Sequence, residues 1–217
     1  MPAETNLIAR AILFDMDGTL VDSTPIIHRA WQWWTSQHGL PLAPVLAVER
    51  GRPNREIIAQ FAPELDAELE SQRFVAFEED DTDGLAIIPG ADAAVRAAEA
   101  GPWGVVTSAR RTLAEVRLRA SGFPVPRVLV SADMIARGKP EPDGFILAAQ
   151  RLDVPPAECV VFEDSMAGIE SAKRAGMRAI CVGPVVAAQQ MADFRVADFR
   201  QVSITRNGSE SFTIGIR

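Results

Sequence analysis

Residues 11–19 read AILFDMDGT. Four apolar residues run into Asp15, a second acid follows at Asp17, and Gly18 precedes Thr19. A short apolar run bounded by turn residues predicts a buried strand over Ala11–Phe14, with Asp15 at its carboxyl end. A carboxylate in that place can attack phosphorus and form a covalent intermediate. A second carboxylate nearby can protonate the leaving oxygen and later activate water. Gly18 permits a tight turn and a close approach of backbone N–H groups to an anion. Asp and Gly are also ordinary turn residues at strand ends, so the motif is weighed with its surroundings.

Downstream of Leu85, strand-like and helix-like stretches alternate. WGVVTS, RVLVSA, CVVFED and RAICVG read as strands; RTLAEVRLRASG, PDGFILAAQRL and AGIESAKRAG read as helices. Continuous apolar strands separated by helices predict a parallel sheet covered on both faces. In such sheets ligands gather at the carboxyl ends of the strands. That rule brings together Asp15, then Thr107 and Ser108 after WGVV, then Glu163 and Asp164 after CVVF. Adjacent acids at a strand end suit a bound cation, and with Asp15 they offer the oxygen ligands that magnesium prefers. A helix cap at Asp164 or Ser165 is the plainer alternative. Thr107 and Ser108 offer hydroxyl and N–H groups to phosphate oxygens, although such residues at a strand end are common. Lys139 lies in RGKPEPDGF, where Gly138, Pro140 and Pro142 restrict the loop that carries it. A fixed lysine can neutralise carboxylate and phosphate charge.

The stretch 22–84 has a different texture. Helical patterns are expected at about 24–38, from NREIIAQFA to about Ala62, and from about Pro63 to Glu79, with prolines and glycines punctuating 39–53. This region reads as a helical cap inserted after the first strand, the core comprising 1–21 and 85–217. Trp31 and Trp34 share a helix face and suit a cap core. His28 and His38 have no partner legible in sequence. Arg52, Asn54 and Arg55 in GRPNRE are either exposed loop or a surface reading the non-phosphate end of a substrate; Arg52 is the substrate-binding candidate. The last residues alternate apolar and polar around Asn207-Gly208, which predicts a hairpin with a possible part in self-association.

The 217 residues carry 47% hydrophobic and 24% charged side chains, enough for a packed core with one insert. The net charge of −7 repels nucleic-acid phosphates, so no nucleic-acid partner is expected. Any phosphate site must therefore be made attractive locally. Cys159 and Cys181 sit in apolar runs and suit core packing in a reducing compartment. MPAETNLIAR has no long apolar stretch, and no run approaches the ~18 residues of a membrane span. A cytoplasmic protein without membrane contacts is expected.

Together DMDGTLVDS, VVTS, GKPEPDGF and FEDSMAGI, in this order at strand ends with a helical insert after the first, resemble the haloacid dehalogenase-like hydrolase superfamily, in the subgroup with a helical cap. The resemblance covers about Ala11 to Gly183. It implies a Rossmann-like core, with Asp15 as nucleophile, Asp17 as acid/base, Thr107 as phosphate-binding hydroxyl and Lys139 as the third-motif lysine. It also implies that Glu163, Asp164, Asp15 and the Asp17 carbonyl hold Mg2+. Dehalogenases of the superfamily lack the second aspartate, so Asp17 argues against dehalogenation. LVDSTPIIHRAW, the GRPNR loop and FEDSMAGIESAKRAGM are most similar to sugar-phosphate and glycerol-phosphate phosphatases. The implied activity is phosphate removal from a small metabolite, with cap closure excluding water; separately, a monomer or weak homodimer is expected. A phosphomutase similar to β-phosphoglucomutase is the alternative, and a non-catalytic binding protein on the same scaffold a further one.

Overall fold

The computed structural model describes residues 5–49, 52–184 and 186–217. In chain order the elements are β1 (Thr5–Ala9), β2 (Ala11–Phe14), β3 (Val21–Asp22), α1 (Thr24–Gln37), α2 (Leu42–Leu46), α3 (Asn54–Phe61) and α4 (Ala67–Asp80). There follow β4 (Ala86–Ile87), α5 (Ala91–Ala98), β5 (Trp103–Val106), α6 (Arg111–Ala120), β6 (Val128–Val130) and α7 (Asp143–Leu152). The chain ends with β7 (Cys159–Glu163), α8 (Met166–Arg174), β8 (Arg178–Val182), α9 (Val186–Met191), β9 (Phe194–Val196), β10 (Val202–Asn207) and β11 (Ser211–Ile216). They form two compact units, one of residues 1–22 with 86–217 and one of 23–85.

The first unit is built on a six-stranded sheet in the order β6-β5-β2-β7-β8-β9, with every pairing parallel. This is the Rossmann-like α/β core that the alternation of apolar strands and helices predicts. β2 and β7 are buried at every position, as strands covered on both faces must be. One face packs Ala11, Leu13, Val106, Val130 and Val161 against Phe145 and Ala148 of α7 and Ile169 and Ala172 of α8. On the other, the ring of Phe14 stacks on Phe162 at 5.3 Å, and Phe199 packs against both. Cys159 and Cys181 are buried and unbridged, and burial pushes each thiol up to about 11.

A second, antiparallel sheet in the order β1-β11-β10 belongs to the same unit. The hairpin forms as the alternation predicts, but Asn207 pairs with Ser211. The loop is therefore 208–210, with Gly208 at φ 57°, rather than a two-residue Asn-Gly turn.

The helical unit has its own core. Trp31 and Trp34 meet edge to face at 5.6 Å, and Trp31 also packs on Phe74 at 4.3 Å, with Ile57 and Ile58 alongside. Trp33 instead stacks on Phe77 at 5.0 Å. Glu70 is buried and accepts from Trp34 Nε1 at 3.1 Å and Arg73 Nη1 at 2.8 Å, with His38 Nε2 at 3.1 Å. The third helix starts later than its amphipathic pattern suggests. Residues 63–66 form a turn, and the Asp66 side chain caps α4 by accepting from the amides of Glu68 and Leu69. The short α2 lies in the stretch read as punctuation. Gly51 of the GRPNR loop lies outside the described residues, as do residues 1–4. Among the described residues no helix is long and apolar enough to cross a membrane.

Candidate active site

Three neighbouring strands of the parallel sheet, β5, β2 and β7, end in the polar groups singled out in sequence. Phe14 hands over to Asp15, whose amide donates to Phe162 O at 2.9 Å. Val106 hands over to Thr107, whose amide donates to Val130 O at 2.9 Å. β7 ends in Glu163, with Asp164 next. Sheet hydrogen bonding thus sets these residues in register at one edge.

Asp15, Glu163 and Asp164 are each buried, and one carboxylate oxygen of each lies within 4.8 Å of the others. Lys139 reaches this cluster from the loop before α7. Its Nζ donates to Asp15 Oδ1 at 2.5 Å, Glu163 Oε1 at 2.7 Å and Val106 O at 3.2 Å. Burial opposes the charge on Lys139, but the two carboxylates outweigh it and raise the ammonium above its ordinary range. Asp15 is pushed well above the usual carboxylate range, first by burial and then by the charges of Glu163 and Asp164, against the opposing pull of Lys139. The three carboxyl groups crowd a dry place in which the ammonium of Lys139 reaches Asp15 and Glu163. Clustered carboxylate oxygens of this kind fit a hard divalent cation.

Glu163 is held from both sides. Oε2 accepts from the amide of Ser165 at 2.6 Å and from its hydroxyl at 2.9 Å, while Oε1 accepts from Lys139. Ser165 Oγ in turn accepts from Gly168 N at 3.0 Å and caps α8. The helix cap is therefore Ser165, which resolves the sequence alternative against Asp164. A Cβ on Gly168 would overlap the Glu163 carboxylate, so this glycine makes room for the acid. Thr107 is buried, and its hydroxyl accepts from Ala109 N at 3.0 Å. Ser108 is exposed.

Asp17 follows in the turn that Gly18 shapes. Gly18 has φ 88°, and its amide donates to Val21 O at 2.7 Å. Asp17 Oδ1 accepts from Arg117 Nη1 at 2.8 Å, and the arginine side chain is only 3% exposed. Arg117 was not legible as a site residue, because charged helix positions default to solvent. Its signal is periodicity: it shares the buried face of α6 with Leu113, Ala114 and Leu118.

Arg52 belongs to the helical unit, where its guanidinium donates to Gln60 Oε1 at 3.0 Å. In the same unit Asn54 accepts from Ser71, Arg55 lies 3.8 Å from Glu68 and His28 is exposed. None of these is among the residues the sheet edge brings together.

The haloacid dehalogenase-like hydrolase profile matches residues 9–176, which hold all four motifs, three at strand ends and the Lys139 motif in the loop leading into α7. This chain belongs to that family. Hexitol phosphatase A of Escherichia coli is 38% identical over 204 residues, covering 91% of this chain and 94% of the relative. Validoxylamine A 7'-phosphate phosphatase of Streptomyces hygroscopicus is 37% identical and covers 80% and 84%. The crystal structure of CbbY from Rhodobacter sphaeroides in complex with phosphate superposes with a TM-score of 0.71 at 29% identity, covering 88% of this chain and 95% of that one. The span matched to the haloacid dehalogenase-like hydrolases includes Asp15, Lys139, Glu163, Asp164 and the Arg117–Asp17 pair.

Proposed function

We propose that this phosphoric monoester hydrolase is a Mg2+-dependent phosphatase of a small phosphorylated sugar or polyol, working through an aspartyl-phosphate on Asp15. The carrying observation is the cluster of Asp15, Glu163 and Asp164 around Lys139 at one sheet edge. The names of the relatives support the substrate class: hexitol, fructose 1-phosphate and glycerol 1-phosphate are each named for a similar phosphatase.

Asp15, Glu163, Asp164 and the Asp17 carbonyl would hold the magnesium ion, and Glu163 also anchors Lys139. When bound, the ion supplies charge stabilisation to the phosphoryl oxygens. Lys139 and the hydroxyl and amide groups of Thr107 and Ser108 bind the remaining phosphate oxygens. A carboxylate oxygen of Asp15 attacks phosphorus in line, forming a P–O bond as the bond to the substrate oxygen breaks. Asp17 delivers its proton to that leaving oxygen, releasing the alcohol. Asp17 then takes a proton from water as the water oxygen attacks phosphorus. The P–O bond to Asp15 breaks and inorganic phosphate leaves with Asp15 regenerated. Arg52 is the proposed contact to the non-phosphate end of the substrate.

The test is phosphate release from a panel of hexitol, hexose and glycerol phosphates with Mg2+, repeated with excess chelator. Release from at least one of these without a bisphosphate requirement is expected. Full activity in chelator would refute the metal assignment, and an unattenuated Asp15→Asn variant would refute the nucleophile.

A further inference from the structure

We infer that Arg117 is a positioning residue that fixes the carboxylate of Asp17 for proton transfer. The inference rests on the reading of Asp17 as acid/base. α6 is an amphipathic helix whose buried face is otherwise Leu113, Ala114 and Leu118. A guanidinium on that face, 3% exposed, has lost nearly all its hydration, at a cost of several kcal/mol per ion, about what a well-placed partner returns. An apolar side chain would serve packing at least as well, so packing does not explain the arginine.

What the arginine does reach is Asp17 Oδ1, across 100 residues of sequence. Arginine offers donors and no acceptor. While Oδ1 accepts from Nη1, the transferable proton has its place on Oδ2. The Asp17 backbone is bridged to Val21, and the next amide, that of Gly18, donates to Val21 O. The backbone is thus held by the turn and the side chain by Arg117. The guanidinium comes from the helix that follows the Thr107 strand end, so the segment proposed to bind phosphate also orients the acid. Asp17 keeps 23% of its side chain exposed, enough to meet substrate and water.

The experiment compares wild type, Arg117→Met, Arg117→Lys, Asp17→Asn and the Asp17→Asn/Arg117→Met double variant, with thermal unfolding recorded for each. Steady-state turnover is measured on whichever sugar or polyol phosphate is hydrolysed, and rapid-quench kinetics on p-nitrophenyl phosphate. Nitrophenolate leaves without a proton, so phosphorylation of Asp15 proceeds in Arg117→Met while hydrolysis of the acyl phosphate slows. The expected result is a burst of about one equivalent of nitrophenolate. Steady turnover falls about 10–100-fold, as for a misplaced catalytic group. Arg117→Lys is intermediate, and the double variant is no slower than Asp17→Asn. Wild-type turnover in folded Arg117→Met, or a loss without a burst that follows only the unfolded fraction, would overturn the inference. If Arg117→Met does not fold, Arg117→Lys decides by the same readouts. Undiminished turnover in Asp17→Asn would instead remove the acid/base reading itself.

Discussion

Gly18 and Asp164 touch so closely that a Cβ on the glycine would overlap the Asp164 carboxylate. The two come from the β2 and β7 ends and meet where the proposed cation would sit. Gly18 also has φ 88°, which side-chain-bearing residues rarely adopt. Gly18→Ala should therefore lose stability by about 1–3 kcal/mol through backbone strain. It should also displace Asp164 and lose most Mg2+-dependent turnover. Thermal unfolding and activity titrated against Mg2+ check both parts, and a variant with wild-type Mg2+ dependence would contradict the contact.

The raised Asp15 carboxyl makes a prediction about pH. A group whose folded value exceeds its unfolded one binds more protons in the native state, so its contribution to stability falls as pH rises through that window. At neutral pH, without metal, ionised Asp15 is thus a source of instability. Asp15→Asn should melt higher than wild type at pH 7.5 in chelator. The gap should narrow as pH falls toward the ordinary carboxylate range. A lower melting point for Asp15→Asn across the whole range would defeat this account.

Lys139 carries the opposite sign. Its raised value adds stability that is present at neutral pH and is lost only as pH climbs beyond the ordinary lysine range. Lys139→Met removes the ammonium that bridges Asp15 and Glu163. Breaking a buried pair from one side typically costs about 3–5 kcal/mol. The melting point at pH 7 should drop accordingly, and added Mg2+ should recover part of it. The check is a melting series with and without the ion.

Mg2+ should stabilise the wild-type protein by about 2.7 kcal/mol at a concentration a hundred times its Kd. Asp164→Ala should lose that response. Calorimetric scans at increasing Mg2+ measure it, and an equal shift in both proteins would place the ion elsewhere.

In the helical unit, Glu70→Ala leaves the buried Trp34 Nε1 without its acceptor. An orphaned buried donor costs about 1–3 kcal/mol. Tryptophan fluorescence during urea unfolding should show an earlier transition, with no direct change at the carboxylate cluster.

The sheet core and the polar edge at its strand ends were legible because continuous apolar strands run directly into Asp15, Thr107 and Glu163. Sequence order alone aligned those ends. Lys139 was legible through the prolines around it. Arg117 was not, since its meaning depends on the face of α6 being inward and on a partner far away in the chain. β1 was missed for a related reason: TNLIA is half exposed, and its strand partner is β11, far along the chain. Residues 63–66 follow the amphipathic pattern of α4 yet yield to the Asp66 cap.

The register that joins Thr5 to Ile216 and Ala9 to Phe212 bears on biosynthesis. During translation Leu7 and Ala9 emerge early, but the strand that covers them is made more than a hundred residues later. Until that hairpin has been made, the edge stays open, even with β2 already seated among its parallel neighbours. Chaperone capture should then concentrate on β1 until the β10–β11 hairpin clears the exit tunnel.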